Sequence, residues 1–140
     1  MSKCSILLFF FLSVNLGLSQ IKADSVFIFY GMSQDAPADP LMDYIENLET
    51  SGAKLQKLKI QEWENVNASF KNVKSKKYKP SKHTGTVYFL TLFIGGEKKF
   101  GAIDTSVEYG KFINLSDKTV YTISDPAAAD RLYYTLLKIH

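Results

Sequence analysis

The chain has 140 residues, of which 46% are hydrophobic, 14% aromatic and 22% charged, and its formal net charge is +3. This composition is typical of one globular domain, and it excludes a disordered chain because aromatic and aliphatic residues are abundant. With 8 glycines and 1 cysteine, the chain is neither collagen-like nor a disulfide-stabilised miniprotein.

The start of the chain has the pattern of a secretory signal peptide. Lys3 provides a basic beginning, and residues 5–18 form a mostly apolar run. This run is shorter than the about 20 apolar residues that a membrane-spanning helix needs. The small residues Gly17 and Ser19 occupy the −3 and −1 positions of a cut before Gln20. A cut after residue 23 and an uncleaved anchor are the less favoured alternatives.

We therefore expect a signal peptide at residues 1–19 and a single exported α+β domain at residues 20–140. The protein is then secreted or periplasmic, with no permanent membrane span after cleavage. Cys4 is the only cysteine and lies inside the signal peptide. The mature domain would form no disulfide and use no thiol chemistry, so its core alone would stabilise it.

The first elements of the domain follow the order strand, helix, strand. Residues 25–31 form an apolar run typical of a strand buried on both faces. Asp39-Pro40 is typical of a helix start and Gly52 of a helix end, and residues 54–60 return to a strand pattern. Because such units usually have a right-handed crossover between parallel strands, we expect these two strands to be parallel.

The middle of the chain combines a helix pattern with the strongest strand pattern. Trp63, Val66, Phe70 and Val73 have the spacing of a short amphipathic helix. Residues 74–85 are rich in lysine and predict a basic loop. The apolar run that follows predicts a strand.

Two hairpins and a final helix complete the predicted domain. Residues 86–94 and 98–104 flank a Gly-Gly turn, which indicates an antiparallel hairpin. Residues 111–113 and 119–123 form the second hairpin. Asp125-Pro126 then begins a closing helix. The prediction is an α+β fold with a single mixed sheet, two antiparallel hairpins and helices packed on it.

The order of these elements also resembles that of thioredoxin-like proteins. Residues 26–31 would be the central strand of such a fold, and residues 92–104 its late hairpin. No CxxC motif follows the first strand, and the second hairpin is additional. The resemblance therefore implies only an alternative fold, a thioredoxin-like domain without cysteines, and no activity.

A run of lysines is the clearest candidate for a binding surface. Residues 71–82 contain six lysines and no acidic residue. Such a run can bind an anionic polymer or surface, or it can simply keep a loop solvated. With one arginine in the chain and few interleaved aromatic residues, specific nucleic-acid recognition is not expected. The candidate partner-binding residues are Lys74, Lys76, Lys77, Lys79 and Lys82.

Asp35 is the one carboxylate that we single out as a candidate ligand group. It follows the predicted central strand, near the sheet edge where α/β folds often bind ligands. His83 lies among lysines without a local carboxylate to orient it, and His140 is terminal, so neither predicts a general base. Without thiolates or a histidine cluster, we expect no metal site, no cofactor and no recognisable catalytic residue.

The leading hypothesis is a small exported binding domain without catalytic activity, whose partner is a protein or an anionic surface component. A small cofactor-free enzyme that uses carboxylates is the second hypothesis, and a cysteine-free thioredoxin-like scaffold is the third. Two N-glycosylation patterns begin at Asn67 and Asn114. Asn114 lies in a predicted turn and is expected to be the better exposed of the two.

Overall fold

The computed structural model describes residues 21–29, 34–35, 41–80, 86–106 and 108–139. The predicted signal peptide, the Asp39-Pro40 helix start, Lys82 and both histidines lie outside these residues.

The described strands form one sheet in which every pairing is antiparallel. Its order is β3-β1-β5-β6-β7-β8-β4, and β2 pairs with β5 beyond the end of β1. The strands are β1 (Ser25–Phe29), β2 (Gln34–Asp35), β3 (Leu55–Lys57), β4 (Ser75–Lys77), β5 (Thr86–Ile94), β6 (Glu97–Thr105), β7 (Gly110–Asn114) and β8 (Thr119–Ile123).

Helices cover both faces of this sheet. Helix α1 (Leu41–Thr50) packs on one face, whereas α2 (Ile60–Ala68) and the C-terminal helix α3 (Pro126–Ile139) pack on the other. No helix in the described part of the chain has the length and apolar character that a membrane crossing requires. The predicted α+β class, the single sheet, both hairpins and the C-terminal helix are confirmed.

The two faces have separate hydrophobic cores, and the central strand β5 contributes to both. Val87 and Phe89 contact the α1-side core, whereas Tyr88, Leu90 and Leu92 belong to the α2/α3-side core. Side chains alternate between the faces of a strand, so a strand covered on both faces is apolar throughout. This double burial explains why β5 carries the strongest strand pattern of the sequence.

The expected parallel pairing of the first two strands is wrong. In β1 and β3, Phe29 pairs with Leu55 and Phe27 pairs with Lys57, so the strands are antiparallel. Strand β3 begins opposite the last residue of β1 and runs back along it. In a parallel pair, the helix would instead bring the chain back to the end of the sheet where β1 begins, so that β3 would start beside the first residue of β1. The order of elements along the chain therefore does not determine their direction in the sheet, which is antiparallel rather than mixed in its described part.

The predicted basic loop is also partly wrong, because residues 75–77 form strand β4. This strand pairs with β8 through Ser75–Tyr121, Lys76–Val120 and Lys77–Thr119. All three β4 side chains are exposed. A strand that buries no side chain shows no hydrophobic alternation, so a sequence pattern cannot distinguish it from a loop.

Turn residues have the conformations that their types favour. Gly95 and Gly96 connect β5 to β6 with φ angles of 58° and 81°, as a tight hairpin turn requires. Gly52 follows α1 with a φ angle of 75°, and the next amide, of Ala53, donates to the Leu48 carbonyl at 3.1 Å. This is the glycine-dependent helix end that the sequence predicts.

Candidate functional site

The lysine-rich segment lies at one end of the sheet, on the terminal strand β4. We define the lysine edge as Lys74, Lys76, Lys77 and Lys79, which are all exposed. These are the described members of the predicted binding set, and the structure brings them together along one strand and its two flanks. Lys82 lies beyond the described residues.

Backbone contacts and one tyrosine fix the lysine edge in place. Beyond the strand pairing, the amide of Tyr78 donates to the Lys118 carbonyl at 2.8 Å. The half-buried Tyr78 side chain packs against the α1-side core, as does Val120, which pairs with Lys76. The lysines are therefore displayed on ordered backbone rather than on a flexible loop.

The lysine edge presents charge on both sides of the sheet. Lys76 pairs with Val120, whose side chain packs on the α1-side core. Ser75 pairs with Tyr121, which packs on the opposite core. Because side chains alternate along a strand, Lys77 lies on the same side as Ser75 and opposite Lys76.

The positive charge of the lysine edge is not neutralised by the described part of the chain. Elsewhere, Lys98 forms an ion pair with Glu49, and Lys99 lies 2.6 Å from Asp117. The described ion pairs include none of the four lysine-edge residues. In the sequence, no acidic residue occurs between Glu64 and Glu97. Among the described residues, no carboxylate forms an ion pair with these lysines and so competes with an approaching anion.

Asp35 lies elsewhere in the sheet. It is in β2 and pairs with Thr86 of β5. Strands β6, β7 and β8 separate β5 from β4. The two sequence candidates, Asp35 and the lysine edge, are therefore not parts of one site.

A buried carboxylate that the sequence analysis does not single out lies in β6. Asp104 is 1% exposed and accepts a hydrogen bond from the Tyr109 hydroxyl at 3.2 Å. Lys111 pairs with Asp104 in the neighbouring strand, and its ammonium lies 5.7 Å from the centre of the Tyr109 ring. Asp104 ends a predicted strand, and nothing in the local sequence marks it as buried. The hydrogen bond from Tyr109 gives this buried carboxylate a partner, as burial of a charged group requires.

A groove of about 410 Å³ separates parts of α2 and α3. A carboxylate-based enzyme would need two carboxyl groups in one pocket. This groove has only one among its described lining residues, which are Asn65, Ala68, Ser69, Asp130, Arg131, Tyr134, Thr135 and Lys138. Within the described ranges, no three histidine, cysteine or acidic residues group as metal ligands would.

Both asparagines of the glycosylation patterns are used within the fold. Asn67 donates through its amide to the Ile21 carbonyl at 3.0 Å. Asn114 is only 8% exposed, donates to the Asp117 carboxylate at 3.1 Å and accepts from the Asp117 amide at 2.9 Å. The expectation that Asn114 is the better exposed of the two is therefore wrong: Asn67 is half-buried, whereas the Asn114 side chain is buried where it closes the β7–β8 turn.

Comparison with protein-family models, with curated protein sequences and with solved structures found no match to this chain. The arrangement of the described side chains is therefore the basis for any functional interpretation.

Proposed function

We propose that this protein is a small exported binding domain without catalytic activity, and that the lysine edge contacts an anionic partner. The main support is one observation. Two exposed lysines lie in the terminal strand β4 and two more lie beside it, and none of the four forms an ion pair with a described carboxylate. Lysines on a terminal strand also discourage aggregation between sheets. That protective role does not require the absence of acidic residues over so long a segment.

The opposite end of the sheet supports this assignment by contrast. Around β3, Lys54, Lys57 and Lys59 are exposed, but Glu62 and Glu64 follow within a few residues. Lysines at both ends therefore protect the sheet from aggregation. Of the two ends, only the lysine edge has lysines without acidic residues close by in the sequence. A partner with an extended array of carboxylates or phosphates would complement the positive charge of that edge.

Charge reversal tests the proposal with a control inside the same chain. The probe is poly-L-glutamate, and the variant replaces Lys74, Lys76 and Lys77 with glutamate. We expect affinity to fall about tenfold or more, because three exposed ion pairs contribute up to about 1 kcal/mol each. Wild-type binding should also weaken steeply between about 0.1 and 1 M salt, where the Debye length falls from about 10 Å to 3 Å.

The matched control reverses Lys54, Lys57 and Lys59 at the other end of the sheet. It changes the net charge by the same amount, so the proposal predicts a much smaller loss of affinity. Equal losses in the two variants would mean that net charge alone attracts the probe. Unchanged binding in the lysine-edge variant would contradict the proposal directly.

Export is tested separately, by the mass and N-terminal sequence of the protein isolated from its source. The small residues Gly17 and Ser19 support cleavage before Gln20. We expect the isolated chain to begin at residue 20. Recovery of a chain that retains Cys4 would contradict the signal-peptide assignment.

A further inference from the structure

The backbone of β4 has hydrogen-bonding groups that its neighbour does not use. In an antiparallel pair, alternate residues direct both backbone groups toward the partner strand and the others direct them away. The Tyr78 amide donates to Lys118 of the β8 side, so Tyr78 and Lys76 belong to the inward set. The amide and carbonyl groups of Ser75 and Lys77 are therefore directed outward.

Nothing in the described sheet occupies that outer side. Strand β4 ends the order of the sheet, and Ser75, Lys76 and Lys77 are exposed. An incoming extended segment could pair with the outward groups, as peptides do when they add a strand to a sheet. The side chains of such a segment would alternate between the two faces, as Lys76 and Lys77 do.

Charge determines which segment fits. Oppositely charged side chains on neighbouring strands stabilise a sheet, whereas like charges that face each other destabilise it. A second copy of β4 would place lysines against lysines and is disfavoured. A segment with acidic residues would place carboxylates beside Lys76 on one face and Lys77 on the other. The lysines thus disfavour pairing with β4 of a second copy and favour pairing with an acidic strand.

We infer that the lysine edge binds an extended acidic segment of a protein partner, which adds to β4 as a further strand of the sheet. This inference rests on the proposed function and specifies its partner. It requires the outward backbone groups as well as the lysines, whereas contact with a membrane surface or a flexible polyanion requires only the lysines.

The variant Ser75→Pro separates these requirements. Ser75 is the first residue of β4, a position where a strand tolerates proline, and the substitution removes an outward amide while every lysine remains. Leu55→Pro is the matched control, because Leu55 is the first residue of β3 at the opposite end of the sheet. The Leu58 amide donates to Val26, so the Leu55 amide is likewise directed outward.

The probe is a short synthetic peptide in which pairs of glutamates alternate with pairs of threonines, so that an added strand has carboxylates on both of its faces. The comparison ligand is a phosphatidylserine–phosphatidylcholine vesicle. We expect Ser75→Pro to weaken peptide binding severalfold and Leu55→Pro to leave it unchanged. Wild-type binding of the vesicle but not the peptide would overturn the strand-addition inference and favour a membrane surface. Equal peptide binding by Ser75→Pro and the wild type would overturn it as well.

Hydrogen exchange in the wild-type protein provides a second test that does not depend on a variant. When the peptide saturates the protein, the outward Lys77 amide should become protected, whereas the Lys76 amide already pairs with β8. Unchanged exchange at Lys77 would overturn the inference. Failure of the proposed function looks different, because the charge-reversed variant would then bind the peptide as tightly as the wild type.

Discussion

The two ends of the sheet resemble each other in backbone but differ in chemistry. Strands β3 and β4 each have three residues and each pairs antiparallel with one neighbour; β3 contains one lysine and β4 two, and further lysines flank both strands. The β3 edge, residues 54–60, also exposes apolar side chains: Leu55 is 41% and Ile60 is 79% exposed. The lysine edge exposes mainly charge. Backbone position alone therefore does not make a binding surface, and the side chains distinguish the two ends.

The two ends also differ in how they are anchored. Leu58 follows β3 directly and is buried in the α2/α3-side core. Strand β4 itself buries no side chain, and Tyr78 after it is only half-buried. We expect β4 to open locally at a lower free energy than β3, since few buried contacts must be broken.

Removal of the β3 anchor should have the largest effect on stability. Leu58→Ala leaves a cavity under the β3 edge and should lower the free energy of unfolding by about 2–5 kcal/mol. Urea unfolding measures this loss. Lys57→Ala on the same strand is the control and should change the free energy by less than about 0.5 kcal/mol. Similar results for the two variants would show that Leu58 does not anchor β3.

Substitution of Gly110 in β7, on the side of the sheet that ends in β4, should have a smaller effect on stability. A Cβ atom on Gly110 of β7 would lie 2.7 Å from the Leu132 side chain of α3 and 3.2 Å from Ile123 of β8. Gly110→Ala should therefore lower the free energy of unfolding by about 1–3 kcal/mol through overpacking. Hydrogen exchange should accelerate more in β4 than in β3, because β4 pairs with β8, whose Ile123 the new methyl group displaces. Faster exchange at β3 alone would contradict this division of the sheet.

Alkaline pH should destabilise the fold through groups that belong to neither edge. Burial, followed by the electrostatic effect of Tyr133, raises the pKa of Tyr88, and the hydrogen bond with Asp117 raises the pKa of Lys99. Each group binds its proton more tightly when folded. Its stabilisation is therefore complete below the unfolded pKa, about 10, and is lost as the pH rises through the folded value.

Unfolding experiments between about pH 8 and 11 test this direction, and Tyr88→Phe should make the decrease shallower. Stability that increases over this range would contradict the assignment. The two edges are best compared below about pH 9, where these losses have not begun.

Neutral substitutions at either edge should have the smallest effects on stability. Lys76→Gln and Lys57→Gln each remove an exposed charge that has no ion-pair partner among the described residues. Both should change the free energy of unfolding by less than about 0.5 kcal/mol. A larger loss for Lys76→Gln would indicate that β4 is stabilised by its side chain rather than by backbone pairing.

The elements with strong patterns were predictable from the sequence, whereas the direction of β3 and the existence of β4 were not. The unbroken apolar run of β5, the Gly95-Gly96 turn and the Gly52 helix end each have a local physical cause, and the structure confirms them. The direction of β3 depends on the path of the chain in space. Strand β4 is an exposed strand whose hydrogen-bond partner, β8, lies more than 40 residues away.

The candidate site was also predictable only in part: its residues could be named from the sequence, but their arrangement could not. The lysine run is visible in the sequence, because charge composition requires no fold. Its placement on a terminal strand, its alternation across the sheet and its outward backbone groups depend on pairing with β8. The burial of Asp104 and Asn114 could not be predicted either, because each is buried by contacts that form only when the chain folds.

A chemical-shift map of the backbone amides during titration with poly-L-glutamate would locate the binding surface on the sheet. Binding at the lysine edge should produce the largest changes at residues 74–79 and in the adjoining strand β8, with small changes at residues 54–60. Changes concentrated at the β3 edge, or spread evenly over the lysines of the molecule, would contradict it.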